Sequence, residues 1–525
     1  MRPHLAILVA SLAAAGCAGP DPESAARETA DAYVRAIGGR EALLGLPTLH
    51  TLDSVYMAGL AGTSESWWIR DPFAGRISMR IGPVSQDLLI SGDSVWSVDR
   101  NGALAAGDEV SRSQAALARM TVFQDAFLDP GGAGLTAGPD TVIGGERATP
   151  LTFEACGLPV TYYISRGSGL PLLMRTEAMG LSMISMPEGY RESGGILFPS
   201  STRDSIPALG QVTRSASILV ECGLPIPDSV FMVASGSGDA SLPLPGTPHG
   251  FELDGGHIYL RGSVCGSEVV ILLDSGAGAT VLDERVAADL GLTPMGEFSA
   301  VGVGGTESFG FAAVPEYEAL GATVTGQTLP LMDLDEAFYP STGRHIGMIL
   351  GYDFLSRFVT CIDYGSATVA LYDAARWSPA PGSNVLPAGK VMSLLVIGAV
   401  LEDSVPVRLV LDTGAGGALH FSDAFLDSHP SFLEGRGTSE VMVEGVGGTR
   451  ASLVFSVDRI TLGSCTVPAG LCGSLGDMPV VSSCDGVIGS EVLARFEVSL
   501  DYGTPSVVLE PSSLFQAGLP GDPPP

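Results

Sequence analysis

The feature that most constrains this chain is a set of short motifs that occurs twice in its second half, at a constant spacing of 138 residues. Three pairs share this spacing: LLDSGA at 272–277 with VLDTGA at 410–415, MILG at 348–351 with GVIG at 486–489, and DYG at 363–365 with DYG at 501–503. One pair arises easily by chance, whereas three pairs in register indicate duplicated structural units. The sequence therefore predicts unit 1 at 247–376 and unit 2 at 388–512, joined by a linker rich in Pro, Gly and Ser.

The rest of the chain is also rich in strand signals. Short apolar runs bounded by Gly, Pro, Asp and Ser favour β structure throughout, and 525 residues are too many for one core. Residues 24–235 combine a helical segment, broken at Gly38-Gly39, with alternating strands. We therefore predict a mainly β protein with an N-terminal α+β domain at 24–235, the two units, and a disordered tail at 513–525.

The first 17 residues predict export. Arg2 precedes a short apolar stretch that ends in small residues and Cys17, which is typical of a secretory signal peptide. The end of this segment resembles a bacterial lipobox, in which the Cys is lipidated, although Ala14 stands where Leu is usual. The resemblance implies a lipid anchor on Cys17 and a place in the cell envelope, facing the periplasm or on the outer surface. No later segment is long and apolar enough to span a bilayer.

The composition argues against two classes of partner. The formal net charge is −31, with 58 acidic and 27 basic residues. A nucleic-acid-binding protein would show a basic face, and the sequence has no basic run. The same charge disfavours direct contact with an anionic membrane surface.

Cysteine and histidine give no pattern of a metal site. Seven cysteines follow Cys17, and an exported protein permits disulfides. The plausible pairs are Cys156 with Cys222 and two of Cys465, Cys472 and Cys484. The scattered histidines are interpreted as surface or satisfied residues: His257, His345, His420 and His429. Without a CxxC pair or close histidine spacing, we predict no zinc site.

Asp274 and Asp412 carry the chemistry that the repeat predicts. Each follows an apolar run typical of a buried strand, where an unpaired carboxylate is costly. A single Asp of this kind is most simply a turn-forming residue. Two held close together would share a proton, because like charges at short range push their pKa values apart. Such a pair can activate a water with its ionised member and protonate a carbonyl oxygen with its neutral member.

The neighbours of the two Asp residues fit this interpretation. The hydroxyls of Ser275 and Thr413 can brace the two turns across a pseudo-twofold axis. Gly276 and Gly414 carry no Cβ, so backbone can come close to the carboxylates. The late glycines of the repeat are expected to leave room for packing behind each turn: Gly351 and Gly489.

A glycine-rich stretch, GVGGT, follows each Asp, at 302–306 and at 445–449. The two copies lie five residues out of register with the repeat, which a difference in loop length would explain. They are either ordinary hairpin turns or mobile hairpin tips that close over an extended substrate. The candidate flap residues are Gly304, Gly305, Gly447 and Gly448.

These motifs together resemble the retropepsin-like aspartic peptidases, namely Asp-Ser/Thr-Gly-Ala, a flap-like segment, and Ile-Leu-Gly or Val-Ile-Gly before a short helix. The resemblance implies two retropepsin-like β-barrels in tandem, in a pepsin-like bilobal arrangement. It implies that Asp274 and Asp412 are the catalytic pair, that the substrate is a peptide or protein, and that no cofactor or metal is required. The flap match is loose, and no flap Tyr of the pepsin kind is visible.

The N-terminal domain more weakly resembles the half-barrel of periplasmic lipoprotein carriers. The resemblance rests on AYVRAIGGREALLGLPTLHTL at 32–52 and on WWIRDPFAGRISMRI at 67–81. It implies a curved antiparallel sheet that holds a hydrophobic ligand against a helix.

The sequence therefore predicts an aspartic endopeptidase of the cell envelope. Two alternatives stay open. The same fold could serve as a non-catalytic peptide- or lipid-binding lipoprotein. Alternatively, each unit could pair with a unit of another molecule to form an intermolecular dyad.

Overall fold

The computed structural model of the protein describes residues 22–178, 180–232, 238–302, 305–445, 448–476 and 483–515. Cys17 with the predicted signal peptide lies outside the described residues, as do Gly304 and Gly447 of the candidate flaps. Strands dominate the described ranges, so the predicted mainly β fold class is confirmed. No helix in these ranges has the length and apolar character needed to cross a membrane.

The N-terminal region, defined here as residues 22–232, contains four α-helices and sixteen strands within the described ranges, together with two short 3₁₀-helices. The helices are α1 Pro22–Ala36, α2 Arg40–Leu44, α3 Glu109–Thr121 and α4 Asp125–Leu128. The strands are β1 Thr48–Met57, β2 Leu60–Ile69, β3 Ala74–Ile81, β4 Val84–Ser91, β5 Ser94–Val98, β6 Leu104–Ala106, β7 Thr136–Ala137, β8 Thr141–Ile143, β9 Glu146–Ala155, β10 Leu158–Ser165, β11 Pro171–Ala178, β12 Leu181–Pro187, β13 Tyr190–Ser193, β14 Ile196–Pro199, β15 Ser201–Ile206 and β16 Gln211–Cys222.

These strands form one large antiparallel sheet, with β13 and β14 as a separate hairpin. Leu151, Phe153 and Ala155 alternate along β9 as buried residues, the period of two expected when one face of a strand meets a core. Helix α1 buries Ala26 and Ala30 on the stripe that faces this core. The helices and the sheet thus enclose one hydrophobic core of the N-terminal region.

Both repeat units consist mainly of short strands. Unit 1 and the segment before it contain β17 Ala240–Ser241, β18 His249–Gly250, β19 Glu252–Asp254, β20 His257–Val264, β21 Ser267–Leu273, β22 Val281–Asp283, α5 Glu284–Asp289, β23 Met295–Gly302, β24 Gly305–Ala319, β25 Ala322–Met332, α6 Leu334–Thr342, β26 Met348–Leu350, α7 Tyr352–Leu355, β27 Val359–Asp363 and β28 Thr368–Tyr372. Unit 2 contains β29 Val385–Val391, β30 Leu394–Leu401, β31 Val405–Leu411, β32 Leu419–Phe421, α8 Asp423–Ser428, α9 Pro430–Leu433, β33 Ser439–Gly445, β34 Gly448–Leu462, β35 Cys465–Ser474, β36 Gly486–Ile488, α10 Ser490–Leu493, β37 Phe496–Asp501 and β38 Ser506–Pro511.

The repeat in the sequence is a repeat in the topology. In unit 1, β21 pairs in parallel with β26, and in unit 2, β31 pairs in parallel with β36. The short helices that the sequence predicted after the late glycines are α7 and α10. Equal sequence patterns have therefore produced equal local structures in the two units.

The two units pack against each other within one chain. Strand β27 of unit 1 pairs antiparallel with β37 of unit 2, and Cys361 lies opposite Ser499, its counterpart 138 residues further along. A pseudo-twofold axis therefore passes through this pair. One hydrophobic core runs through both units, with Leu273 and Leu350 on one side and Leu411 and Ile488 on the other.

The suggested disulfides are wrong, because all seven described cysteines are free. Cys156 follows β9 and Cys222 ends β16, and four strands separate these two strands in the sheet. Cys465 and Cys472 lie seven residues apart on the same strand. A disulfide needs Cα atoms within about 7 Å, and residues seven positions apart on one extended strand lie roughly three times as far apart. In the predicted tail, Leu514 and Phe515 pack against the core of the two units.

Candidate active site

Asp274 and Asp412 stand at the same place in the repeat, one residue beyond β21 and β31. The backbone N–H of Asp274 donates to Leu350 O at 3.0 Å, and that of Asp412 donates to Ile488 O at 3.1 Å. Both strands end in fully buried leucines. Each carboxylate is therefore attached to a strand that is fixed by its neighbours in the sheet.

Each Asp also closes a tight turn. Asp274 Oδ1 accepts a hydrogen bond from Gly276 N at 2.8 Å, and Asp412 Oδ1 accepts one from Gly414 N at 2.8 Å. Asp residues form such turns often, and both side chains here are half-buried. The bond to the following glycine fixes the rotation of each carboxylate.

Ser275 and Thr413 join the two turns across the pseudo-twofold axis. Ser275 N donates to Thr413 Oγ1 at 3.0 Å, and Thr413 N donates to Ser275 Oγ at 3.0 Å. The two hydroxyls in turn donate to carbonyls at the ends of the opposite strands, Ser275 to Leu411 O at 2.8 Å and Thr413 to Leu273 O at 3.1 Å. Both side chains are buried. This reciprocal set of four bonds holds the two turns together within one chain.

The glycines of the two turns face the carboxylate of the opposite unit. A Cβ at Gly276 would lie 2.3 Å from Asp412 Cγ, and a Cβ at Gly414 would lie 2.4 Å from Asp274 Cγ. Real Cβ atoms do not come this close to other atoms, so any larger residue would displace the carboxyl group. The glycines therefore allow the two carboxyl groups to meet at the axis.

The electrostatics of the pair follow from this proximity. Burial raises the pKa of Asp274 well above its usual range, and the negative charge of Asp412 and a hydrogen bond with its carboxyl group raise it further. Hydrogen bonds from the backbone of Gly276 and Ala277 oppose this pKa shift. Two carboxyl groups in such contact hold one proton between them over a range of pH.

The late glycines, Gly351 and Gly489, lie behind the two turns. A Cβ at Gly351 would lie 2.2 Å from Ala279 O, and one at Gly489 would lie 2.6 Å from Gly417 O. The absence of a side chain lets the segments β26–α7 and β36–α10 lie directly against the backbone after each Asp.

The candidate flaps begin long strand pairs. Gly305 opens β24 and Gly448 opens β34. In the first pair of strands Gly302 lies opposite Gly305, and in the second Gly445 lies opposite Gly448. The predicted hairpins therefore exist up to these positions, whereas Gly304 and Gly447 themselves lie outside the described residues.

Two of the histidines that the sequence suggested to be surface or satisfied residues, His257 and His420, lie near this site. Burial lowers the pKa of His257, while the charge of Asp412 and a hydrogen bond with the Gly414 backbone raise it. His420 Nε2 lies 2.6 Å from Gly416 O. One feature of the sequence distinguishes His257 from its counterpart in unit 2. His257 is the first residue of β20, whereas the matching strand β30 begins with an apolar residue, Leu394.

Unit 1 matches a known protein family over part of its length. Residues 260–354 match the model of the aspartyl protease family. The matched segment runs from β20 to α7 and contains Asp274 and Gly351, so the predicted resemblance is confirmed for this part of unit 1. No protein in the curated set matches the chain.

Several solved structures are similar to parts of the chain at low identity. A DUF1329 family protein from Desulfovibrio piger is 12% identical, with 40% of this chain and 98% of that chain covered and a TM-score of 0.30. A putative outer membrane lipoprotein-sorting protein domain from Vibrio parahaemolyticus is 8% identical, with 40% and 97% covered and a TM-score of 0.30. A LolA superfamily protein from Nitrosomonas europaea is 13% identical, with 39% and 97% covered and a TM-score of 0.28.

No group of three or more His, Cys, Asp or Glu side chains in the described ranges is arranged to hold a metal ion. The chemistry available at the site is that of two carboxyl groups sharing a proton. Such a pair can polarise a water and a carbonyl group held between them.

Proposed function

We propose that this chain is an aspartic endopeptidase whose single active site is formed by Asp274 and Asp412. The observation that carries the proposal is the reciprocal bonding of Ser275 and Thr413, which joins two equivalent turns and their carboxylates. Because both partners come from one chain, the proposal favours an intramolecular dyad over an intermolecular one.

The proposed reaction uses the two protonation states of the pair. In the proposed reaction the proton that the pair shares starts on Asp274. Ionised Asp412 removes a proton from a water as the water oxygen attacks the peptide carbonyl carbon, and Asp274 gives its proton to the carbonyl oxygen. Asp412 then donates its new proton to the amide nitrogen, Asp274 recovers a proton from the tetrahedral intermediate, and the C–N bond breaks.

The test is cleavage of a broad peptide library by the full-length chain between pH 3 and 8. Asp274→Asn and Asp412→Asn are each expected to lower kcat by about 10³-fold or more, because each removes one of the two proton transfers. Asp363→Asn and Asp501→Asn are the matched controls. These residues are also 138 residues apart, and each forms the same kind of turn by accepting from the backbone two residues later.

Retention of cleavage by either dyad variant would contradict the proposal. Loss of cleavage in the Asp363 or Asp501 variants as well would mean that turn geometry, not proton transfer, limits the rate. A folded wild type that cleaves no peptide in this pH range would favour the non-catalytic binding protein.

A second proposal concerns the N-terminal region, which we propose binds an apolar ligand. A cavity of about 180 Å³ lies between α1, α2 and the sheet, and most of its lining is apolar, with Ile37, Leu43, Tyr162 and Met174 among the lining residues. A dry apolar cavity of roughly 150 Å³ is enough for a small hydrophobic molecule. This volume suits part of an acyl chain.

Titration of the full-length chain with a fluorescent fatty acid tests this proposal. Met174→Trp places a larger side chain in the cavity wall and is expected to abolish saturable binding. Met183→Trp, on the neighbouring strand β12 and exposed, is the control and should bind as the wild type does. Equal binding by both variants would place the ligand elsewhere.

We also propose that the protein is exported and anchored by a lipid on Cys17, with the N-terminal domain at 24–235 placed between the anchor and the two units. The proposal rests on the small residues before Cys17 in the sequence. Replacement of Cys17 by Ala should move the protein from the membrane fraction to the soluble fraction of the cell envelope. An unchanged distribution would contradict the anchor.

A further inference from the structure

A turn of the N-terminal region reaches a buried carboxylate in unit 1. Arg100 lies between β5 and β6, and its Nη2 donates to Asp353 Oδ2 at 2.8 Å. Its Nε donates to Thr328 O at 2.8 Å, so the guanidinium is held at two points. The Asp353 side chain is 4% exposed and that of Arg100 is 20% exposed. The ion pair is therefore largely shielded from water.

Asp353 connects this ion pair to the active-site loop. Its Oδ1 accepts a hydrogen bond from Thr280 N at 2.5 Å, and Thr280 Oγ1 accepts one from Gly351 N at 3.2 Å. Thr280 is fully buried and lies six residues after Asp274, in the loop that the carboxylate begins. A continuous line of hydrogen bonds thus runs from Arg100 to the loop of the dyad.

The same region touches the hairpin that carries the candidate flap of unit 1. Glu297 N, in β23, donates to Ala58 O at 3.0 Å. A Cβ at Gly296 would lie 2.8 Å from the Leu60 side chain, which shows how closely that side chain covers β23. The guanidinium of Arg100 also lies 5.6 Å from the centre of the Phe311 ring in β24.

The contacts of the N-terminal region with unit 2 are of another kind. Arg408 pairs with Glu109 of α3, and both side chains are more than a third exposed, so solvent weakens this pair. Lys390 is buried and donates to Ala106 O at 3.1 Å, but it lies in β29, which does not lead into the loop after Asp412.

We propose that Arg100 is a positioning residue for the loop of Asp274, so that the N-terminal region completes the active site of unit 1. The inference rests on the proposed peptidase function. Without Arg100, the buried Asp353 carboxylate would lose its directly bonded cation and would keep the hydrogen bond from Thr280 N and an electrostatic interaction with Arg357. A buried charge that has lost its partner is strongly unfavourable, and the loop would shift to let water reach it. Small displacements of catalytic groups cost up to about a hundredfold in rate.

The experiment compares full-length Arg100→Ala, Arg100→Lys, Asp353→Asn and the double variant Arg100→Ala/Asp353→Asn. Arg100→Ala is expected to lower kcat by about 10- to 100-fold, with KM changed by less than about threefold because no substrate contact is removed. Arg100→Lys should recover part of kcat through a shorter cation. The kcat of the double variant should exceed that of Arg100→Ala, because the uncompensated charge is gone while the Asn oxygen still accepts from Thr280 N.

Glu109→Gln is the matched control, because it removes the exposed ion pair between the N-terminal region and unit 2. It should leave kcat and KM unchanged. Wild-type kcat in folded Arg100→Ala would overturn the proposal. So would an equal loss of kcat in Glu109→Gln, or a double variant no better than Arg100→Ala.

Amide hydrogen exchange of the peptide around Thr280 gives a readout that does not depend on peptidase activity. Arg100→Ala should speed exchange there, while exchange around Ala418 in unit 2 stays unchanged. If the wild type is inactive but this difference appears, the peptidase proposal fails and the positioning link stands. If exchange around Thr280 is unchanged, the positioning link is overturned.

Discussion

Units 1 and 2 differ in how they support the same turn. In unit 1, side chains support the backbone after Asp274: Thr280 accepts from Gly351 N, and Asp353 accepts from Thr280 N. The outermost member of this set, Arg100, comes from another part of the chain. The support of unit 1 is therefore built from polar side chains and reaches beyond the unit.

In unit 2 the residue at the position of Thr280 cannot make the bond to the late glycine, because it has no hydroxyl. Ala418 stands where unit 1 has Thr280, and Glu491, which is exposed, stands where unit 1 has Asp353. Gly489 N donates instead to Ala418 O at 2.9 Å. The repeat has therefore kept its symmetry at the residues nearest the carboxylates, whereas the surrounding supports have diverged.

Substitution of the two turn glycines tests the symmetric part of the site and should change the rate most. Gly276→Ala and Gly414→Ala should each lower kcat by on the order of 10³-fold, because either Cβ would overlap the carboxyl group of the opposite unit. Gly503→Ala is the control, since its Cβ would lie 3.4 Å from the nearest side-chain atom, an ordinary contact. Steady-state kinetics on one peptide substrate would check the effect. A loss at only one of the two glycines would show that the carboxylates are not equivalent in position.

A second prediction concerns pH. Burial and Asp412 raise the pKa of Asp274, so the shared proton persists above the usual range of a carboxyl group and is lost as pH rises further. The rate should then fall by about tenfold per pH unit above the raised pKa. A rate that keeps rising above about pH 8 would contradict a shared-proton pair.

The same raised pKa makes a stability prediction. The native state binds this proton more tightly than the unfolded state does, so the contribution of Asp274 to stability is present at low pH and is lost as pH rises through the raised pKa. Urea unfolding of the wild type and of Asp274→Asn should therefore show a difference that shifts in favour of the variant from pH 4 to pH 8. A difference in the free energy of unfolding that stays constant from pH 4 to pH 8 would mean that the Asp274 carboxyl binds its proton equally well in the native and the unfolded state.

A fourth prediction concerns the reciprocal bonds at the axis. Ser275→Ala and Thr413→Val should each lower the free energy of unfolding by about 2 kcal/mol, because each leaves a buried N–H and a buried carbonyl without a partner. Ser366→Ala, at an exposed turn hydroxyl, is the control and should change it by less than about 0.5 kcal/mol. Very different losses in the free energy of unfolding for the two variants would mean that the two hydroxyls are not equivalent.

The sequence predicted the symmetric part of the site because that part is local. The strand before Asp274, the turn, Gly276 and the late Gly351 all belong to short motifs, and a repeat in register implies that two copies face the same environment. The axis itself follows once two such units share a core. The family match to residues 260–354 supports the same short motifs in unit 1.

The asymmetric supports could not be found in this way. Arg100 lies 253 residues before Asp353, and nothing in the local pattern of either residue indicates that they pair. Distance in the fold decides such contacts, and the same limit explains why Cys156 and Cys222 were wrongly suggested as a disulfide. Polar residues that hold the active-site loop from distant parts of the chain can be recognised only once the fold brings their strands together.

The weakest effect is expected for His420, which supports the loop after Asp412 in unit 2. His420 Nε2 lies 2.6 Å from Gly416 O, and since a carbonyl only accepts, Nε2 carries the hydrogen. His420→Phe should lower kcat by about threefold and the free energy of unfolding by about 1 kcal/mol, the usual worth of one hydrogen bond. The effect should be smaller than that of Arg100→Ala, because a half-buried carbonyl can turn to water while a buried carboxylate cannot. His429→Phe, at an exposed histidine, is the control for kinetics and urea unfolding. If His420→Phe lowers kcat as much as Arg100→Ala does, both loops depend equally on one outer contact. The difference in support between the units would then have no effect on function.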